Sequence, residues 1–234
     1  MSLLGPKTYK RLKTTYEIVN KLPETERITA IVLMFIPVVL SVVDDGVLWD
    51  LRPSISDYAY MCQSYWFGSL LALAGSLFIF NGAQHIKSQR FKSKLQEQQH
   101  LTKQQVSAMH NDSDNPDRLG KGYNIIFGIA LFFVIYLDYK TYEMPHYAAA
   151  LIFYVGCIIV MVFGARQHLK HLGKVLGILT ALALIMHYLL NYILDGNNPY
   201  TLLMAEWIGL IFIGVYFIKD SLCYAPILNT KDDA

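Results

Sequence analysis

The chain has 234 residues, of which 54% are hydrophobic and 16% are charged, and its formal net charge is +2. The charged fraction is well below the roughly 25% that is typical of soluble globular domains. This composition excludes a water-soluble core as the starting interpretation, and the small net charge gives no sign of a nucleic-acid partner. It favours an integral membrane protein whose main partner is the lipid bilayer.

Six apolar runs approach the length that a helix needs to cross a bilayer, and the first and third, which are short, are expected to be extended at an end by Thr, Tyr or Asn residues. They are continuous rather than alternating, so they predict helices and not barrel strands. We therefore predict an all-α, polytopic membrane bundle of six transmembrane helices, the first of them bent at Pro37. The runs cover residues 28–43, 65–83, 124–137, 147–165, 175–194 and 201–218.

Three parts follow from these runs. Residues 1–27 are a basic amino-terminal segment, residues 28–218 are the transmembrane domain, and residues 219–234 are a tail. The first part either forms an amphipathic helix on an anionic leaflet or is a solvated leader. Within the second part, residues 84–122 form a long connection that extends the second helix and then turns back.

The basic residues give the orientation, because Lys and Arg collect on the cytoplasmic side of a membrane. The amino-terminal segment holds six of them, the connection after the second run seven, the connection after the fourth three and the tail two, which is eighteen of twenty. Only Arg52 and Lys140 lie in the other connections. We predict a multi-pass protein with both termini cytoplasmic, in the cell membrane or, in a bacterium, the inner membrane.

Small residues on the predicted helices indicate where helices pack closely. Gly68, Ala72 and Ser76 recur at every fourth position of the second run. Further glycines that allow close approach are Gly75, Gly156, Gly209 and Gly214.

Ionisable side chains at membrane depth are expensive and mark candidate functional sites. His187 and Glu206 lie at similar depth in the outer halves of the fifth and sixth runs, and Asn191 is one turn from His187 on the same face. Residues at the outer ends of other runs belong to the same layer, and Ser54 and Ser56 can fold onto it. The predicted outward-opening pocket consists of Asp57, Asp138, His146, His187, Asn191 and Glu206.

Three interpretations of this polar layer stay open. The side chains lock the bundle by bonding one another, bind a lipid headgroup, small solute or ion, or perform metal-assisted or acid/base chemistry with zinc on His146, His187 and a carboxylate. The leading hypothesis is a non-enzymatic protein that binds or senses a lipid or small ligand. The alternatives are a metal-dependent hydrolase acting on lipid and a transporter, although a transporter needs a polar path through inner halves that read as nearly all apolar.

No cofactor is predicted, because the sequence has no dinucleotide, phosphate-loop or zinc-protease motif. The cysteines are only three and widely spaced, and one lies inside an apolar run, so they indicate neither a disulfide framework nor a Cys-x-x-Cys metal site. They are Cys62, Cys157 and Cys223. The oligomeric state is not predicted.

Short motifs in the same layer resemble those of the six-span DRAM-like membrane proteins, the damage-regulated autophagy modulator group, and of related bacterial proteins. They are the stretch Pro-Ser-Ile-Ser-Asp at 53–57, His146 at the start of the fourth run, and Glu206-Trp207 in the sixth. The resemblance implies a six-helix bundle and, for some members, a role in membrane-lipid handling or glycolipid-anchor remodelling. This chain departs from the pattern at Tyr58-Ala59, where Thr-Gly is common, and in its long basic connection. It matches the zinc-dependent alkaline ceramidase type poorly, because it has no His-x-x-x-His pair.

Overall fold

A computed structural model describes residues 6–45, 51–99, 121–165, 167–194 and 198–222. These residues form helices and connections and include no strand, which confirms the all-α prediction. The described residues contain six α-helices, named here in chain order: α1 (Pro6–Asp45), α2 (Tyr65–Gln99), α3 (Asn124–Tyr136), α4 (Glu143–Phe163), α5 (Lys170–Ile193) and α6 (Leu202–Leu222). They also contain three short 3-10 helices, at Ile55–Tyr60, Lys121–Tyr123 and Gln167–Leu169.

Five of the described helices are long and apolar enough to cross a membrane. They are α1, in its part Pro23–Asp44, α2, in its part Tyr65–Lys87, and the whole of α4, α5 and α6. Helix α3 is apolar but has only 13 residues. Large apolar side chains such as Phe35, Phe163 and Ile185 are exposed on the outside of the bundle, where a lipid environment would cover them.

Helix α1 begins earlier than the sequence predicts. The backbone of residues 6–27 is helical and continuous with the first apolar run, whereas both interpretations of this segment separated it from the span. The chain has no glycine between Gly5 and Gly46, so nothing in the segment favours a break except Pro23. Helix α2 continues to Gln99, as predicted for the long connection. The rest of that connection, 100–120, and the tail from 223 lie outside the described residues.

The helices pack as a ring in chain order. Each helix packs against the next, and α6 packs against α1. Successive helices run in opposite directions. The start of α3 contacts α2 in the second half of its candidate span Tyr65–Lys87, through Asn124 and Asn81. The residue after α3, Leu137, contacts His146 near the start of α4. The bundle therefore has a loop end, formed by the connections 51–64, 137–142 and 198–201, and an opposite end.

Helices α2 and α3 cross at two glycines. A Cβ atom on Gly128 would lie 2.4 Å from the carbonyl oxygen of Gly75, and one on Gly75 would lie 3.0 Å from the carbonyl oxygen of Gly128. The backbones therefore touch, as small residues permit. The predicted stripe at Gly68, Ala72 and Ser76 does not form this contact, since Ser76 is exposed and a Cβ on Gly68 would meet only Ile135 at 3.7 Å.

Pro37 lies inside α1, where it cannot donate a hydrogen bond to the carbonyl of Leu33 and disturbs the helix around it. The indole Nε1 of Trp207 on α6 donates to the adjacent carbonyl oxygen of Met34 at 3.2 Å. A neighbouring helix thus supplies a hydrogen bond where the proline weakens the backbone ladder.

Candidate functional site

The connection after α1 is fixed by its own side chains. Arg52 forms a two-point ion pair with Asp44 at the end of α1, through its Nε and through Nη2 at 2.9 Å from Oδ1. The Oγ atom of Ser54 accepts a hydrogen bond from the backbone N–H of Asp57 at 3.3 Å and so caps the 3-10 helix Ile55–Tyr60. Tyr58 belongs to this 3-10 helix, and its side chain is fully buried.

The same connection is bound to α6 by two hydrogen bonds. The backbone N–H of Leu203 donates to the carbonyl oxygen of Pro53 at 2.7 Å, and the backbone N–H of Ile55 donates to Oε2 of Glu206 at 2.8 Å. Glu206 is 9% exposed. Its carboxylate therefore holds a backbone donor of a loop that lies 151 residues earlier in the sequence.

His146 links three elements. Its Nδ1 lies 2.6 Å from the carbonyl oxygen of Leu137, and its Nε2 lies 2.8 Å from Oγ of Ser56. A carbonyl oxygen can only accept, so Nδ1 carries the proton and Nε2 of the neutral ring accepts from the Ser56 hydroxyl. The ring is 2% exposed and packs against Tyr139 and Tyr147, with ring centroids 5.9 and 5.8 Å away.

Asp57 lies beside this pair and accepts two hydroxyl hydrogen bonds. Ser54 donates to Oδ2 at 2.8 Å, and Tyr139 donates to Oδ1 at 2.5 Å. The hydrogen bond to Asp57 raises the pKa of Tyr139 to about 12, with burial as a second cause, because deprotonation would place a phenolate next to a carboxylate.

His187 is held in the same way as His146. Its Nδ1 donates to the carbonyl oxygen of Tyr200 at 2.8 Å, which leaves Nε2 of the neutral ring as an acceptor. The side-chain amide of Asn198 donates to the carbonyl oxygens of Tyr200 and His187 at 2.8 and 3.2 Å, so it ties the segment before α6 to α5.

These side chains surround one half-open cavity of about 450 Å³ at the loop end. Five of the six residues predicted from the sequence lie on its wall: Asp57, His146, His187, Asn191 and Glu206. The remaining wall consists of Pro53, Ser54, Ser56, Tyr139, Tyr147, Ala150, Asn198, Thr201 and Leu202. Among the described residues, the wall contains two acidic side chains and no lysine or arginine.

Asp138 lies at the loop end but not on the cavity wall. It accepts hydrogen bonds from the hydroxyl of Tyr60 and from Thr141, whose Oγ1 is 2.6 Å away. The hydrogen bond from Thr141 lowers the pKa of Asp138, and the neighbouring Lys140 acts in the same direction. Asp138 therefore braces the turn between α3 and α4.

The sequence did not indicate Tyr139 and Asn198 as parts of the site. Tyr139 resembled the other aromatic residues of a headgroup belt. Asn198 lies in a short connection with no periodicity to orient it. The adjacency of Tyr139 to the candidate Asp138 was the available signal, but it does not reveal that the tyrosine, rather than the aspartate, faces the cavity.

The metal arrangement of the hydrolase alternative is not formed within the described ranges. They include no group of three or more His, Cys, Asp or Glu side chains placed to hold a metal ion. Nε2 of His146 is already engaged by Ser56. The two described cysteines, exposed Cys62 and buried Cys157, are free thiols.

A second buried polar layer lies at the opposite end of the bundle. Oε1 of Glu26 lies 3.1 Å from Nε2 of His85, and the Asn124 amide donates to Oδ1 of Asn81 at 2.7 Å. All four side chains are buried, so the expectation of nearly apolar inner halves was wrong. Glu26 and His85 were missed because the helices extend beyond the apolar runs, since the candidate spans begin at Pro23 and reach Lys87. Asn81 and Asn124 lie at the ends of predicted runs, where they read as interfacial residues.

An aromatic cluster separates the two polar layers. Phe78 packs edge-on against Phe153, Phe217 and Phe127, with ring centroids 5.8, 5.9 and 6.1 Å away. Phe78 lies three residues before Asn81 on α2, and Phe127 lies three residues after Asn124 on α3. In the described part of the bundle, these rings interrupt the polar side chains between the two layers, so the arrangement does not support the transporter alternative.

A protein-family model described as a family of unknown function, DUF7103, matches residues 35–221. The chain belongs to this family. The DUF7103 match includes all the residues that line the cavity. No curated protein and no solved structure matches the chain.

Proposed function

We propose that this DUF7103 protein is an integral membrane protein with six spans and cytoplasmic termini that binds a lipid headgroup or small polar ligand in the cavity at its loop end. The observation that carries the proposal is the convergence of Asp57, His146, His187 and Glu206, from four separate elements, on one half-open cavity. A structural lock would need only contacts among these side chains. The cavity adds space that a ligand can fill.

Six spans are supported by the position of α3. Its 13 residues rise about 20 Å at 1.5 Å each, and the preceding 3-10 turn of three residues adds about 6 Å at 2.0 Å each. The total approaches the roughly 30 Å hydrocarbon core. The ends of α3 reach Asn81 at the opposite end and His146 at the loop end, so it runs the same course as its neighbours.

The basic residues support the orientation. Eighteen of twenty lie in segments attached to the opposite end, which favours a cytoplasmic position for that end and the opposite face for the cavity. The resemblance to the DRAM-like proteins fits this proposal, because the residues Ser54, Ser56, Asp57, His146 and Glu206 that share in it meet around the cavity. We therefore favour a membrane lipid as the ligand.

Thermal unfolding in detergent with a panel of lipids and divalent metals tests the proposal. Wild type should be stabilised by at least one lipid, and His187→Ala and Glu206→Gln should lose that stabilisation. Asp138→Asn is the matched control, since Asp138 is at the same end but off the wall, and it should keep the response. No response in wild type, or an equal loss in the control, contradicts the binding role.

Cysteine labelling from either side of sealed vesicles tests the topology. Single cysteines placed at residue 63, in the first connection, and within 100–120 should be labelled from opposite sides. Labelling of both from the same side contradicts the proposed arrangement.

A further inference from the structure

The Ser56 hydroxyl and the His146 ring form a pair with the geometry of an activated nucleophile. Oγ lies 2.8 Å from Nε2, and the Nδ1–H is held at 2.6 Å by the carbonyl oxygen of Leu137. A nucleophile within hydrogen-bond reach of a base that a third group orients is the general pattern of covalent catalysis by serine. Here a backbone carbonyl takes the orienting place that a carboxylate often has.

The pair is rigid. His146 is buried between two tyrosine rings, and Ser56 belongs to the 3-10 helix whose first N–H is held by Glu206. The His146 ring cannot turn without breaking its contacts, and the backbone that carries Ser56 is held in place by Glu206. Preorganisation of this kind is what a catalytic pair requires.

Ser56 also lies at a boundary between polar and apolar space. It lines the polar cavity and, at the same time, an apolar cavity of about 50 Å³ inside the bundle. Ala150 and Glu206 are on both walls as well, while Leu71, Leu131 and Phe153 line only the apolar one. A lipid ester has its carbonyl carbon at the same kind of boundary, between a polar headgroup and an acyl chain.

We infer that Ser56 is a catalytic nucleophile and His146 its general base in the hydrolysis of an acyl ester of a membrane lipid. This inference rests on the proposed function, since the lipid headgroup must enter the polar cavity. The headgroup class is neutral or cationic, because the described wall carries the Asp57 carboxylate and no lysine or arginine. An anionic headgroup would face Asp57 with no counter-charge on these residues.

The steps balance without any oxidant or reductant. Ser56 Oγ bonds to the ester carbonyl carbon, the carbonyl π electron pair moves onto the carbonyl oxygen, and the hydroxyl proton moves to Nε2 of His146. The carbonyl re-forms as the carbon–oxygen bond to the alcohol breaks, and Nε2 returns the proton to the leaving oxygen, which gives the free alcohol and acyl-Ser56. Water then attacks the acyl carbon, the π pair again moves onto the carbonyl oxygen, and Nε2 takes a water proton. The carbonyl re-forms as the bond to Oγ breaks, and Nε2 returns the proton to Oγ, which releases a carboxylic acid.

The positive charge that develops on the His146 ring is accommodated by the site. When Nε2 takes a proton, the imidazolium keeps its Nδ1–H bond to the Leu137 carbonyl. Asp57 lines the same cavity and favours the positive ring electrostatically.

A fluorophosphonate–biotin probe tests the inference on the full chain in detergent, with the modified residue located by mass spectrometry. The Ser56 hydroxyl should bond to the probe's phosphorus with loss of fluoride. Ser56→Ala should abolish labelling, and His146→Gln should slow it by about 10²–10⁴-fold, the contribution of a general base. Ser64→Ala is the matched control, an exposed serine of the same connection off the cavity wall, and it should label like wild type.

Ser56→Cys gives a second measurement that does not depend on folding of the alanine variant. The introduced thiol should react with iodoacetamide faster than the exposed thiol of Cys62 in the same molecule, and His146→Gln should remove the difference. Absence of a Ser56 adduct in wild type, or equal labelling of His146→Gln, overturns the catalytic role. A lipid-dependent thermal shift without a Ser56 adduct overturns this inference alone, whereas an adduct without any lipid shift contradicts the binding proposal.

Discussion

The backbone N–H of Ile55 donates to the carboxylate of Glu206, which joins the first connection of the chain to its last helix at 2.8 Å. Ile55 is the first residue of a 3-10 helix, so its N–H has no partner within that helix. The acidic side chain at membrane depth thus has an identified structural task besides lining the cavity.

Replacement of Glu206 by two near-isosteric side chains separates the hydrogen bond from the charge. Glu206→Gln keeps an oxygen acceptor for Ile55, and we expect stability close to that of wild type. Glu206→Leu leaves a buried N–H unsatisfied, which costs about 1–3 kcal/mol. The free energy of unfolding in detergent measures both, and equal stability of the two variants would contradict the assigned bond.

The contact between α2 and α3 at Gly75 and Gly128 can be tested with a second matched pair of variants. Gly128→Ala places a methyl group 2.4 Å from the Gly75 carbonyl oxygen, so the helices must separate, and overpacking of this kind costs about 1–3 kcal/mol. Gly68→Ala has its nearest contact at 3.7 Å and gains helix propensity of about 1 kcal/mol. Thermal unfolding should show a lower melting temperature only for Gly128→Ala; a loss in Gly68→Ala as well would contradict the contact.

The sequence predicted the layer of the site better than its contacts. His187 and Glu206 are recognisable because charge within an apolar run is costly, and that cost does not depend on tertiary detail. What each atom bonds depends on loop conformation, which hydropathy does not encode. Asp138 and Tyr139 are adjacent in sequence, yet the turn after α3 directs only Tyr139 to the cavity.

The helix ends were predicted less well than the helix centres for a related reason. An apolar run ends where the first polar side chain appears, but a backbone helix continues while its residues permit it. Glu26, His85 and Asp220 lie beyond the predicted runs and are nevertheless buried on α1, α2 and α6. Polar residues that face one another inside a bundle cannot be distinguished by composition from those that face water.

The raised pKa of Tyr139 leads us to predict that the free energy of unfolding depends on pH in the alkaline range. Its pKa is about 12 in the folded protein and about 10 in an unfolded chain. The folded state therefore favours the protonated phenol, and this contribution to stability is present below about pH 10 and is lost as the pH rises through about 12. Nuclear magnetic resonance of ¹³C-labelled tyrosine should show one resonance, absent from Tyr139→Phe, that titrates near 12.

Asp57→Asn is the control for that titration. Without the carboxylate, the phenolate no longer meets a negative charge, and the Tyr139 resonance should titrate closer to 10. In the protein that keeps Asp57, the difference in unfolding free energy between wild type and Tyr139→Phe should shrink as the pH rises from about 10 to about 12, because the contribution of Tyr139 is lost there. An unchanged titration in Asp57→Asn would show that burial, and not the hydrogen bond, sets the pKa.

The amide pair at the opposite end of the bundle predicts a strong coupling. Asn81 and Asn124 are each 1% exposed and are joined by a 2.7 Å hydrogen bond. Asn124→Leu removes one partner and leaves the Asn81 amide buried, which costs about 1–3 kcal/mol, whereas replacement of both by leucine leaves neither amide to be desolvated. The double variant should therefore be less destabilised than the sum of the two single variants, and a double-mutant cycle of unfolding free energies measures the coupling. Strict additivity would show that the two amides do not depend on each other, and that the polar layer is held by Glu26 and His85 instead.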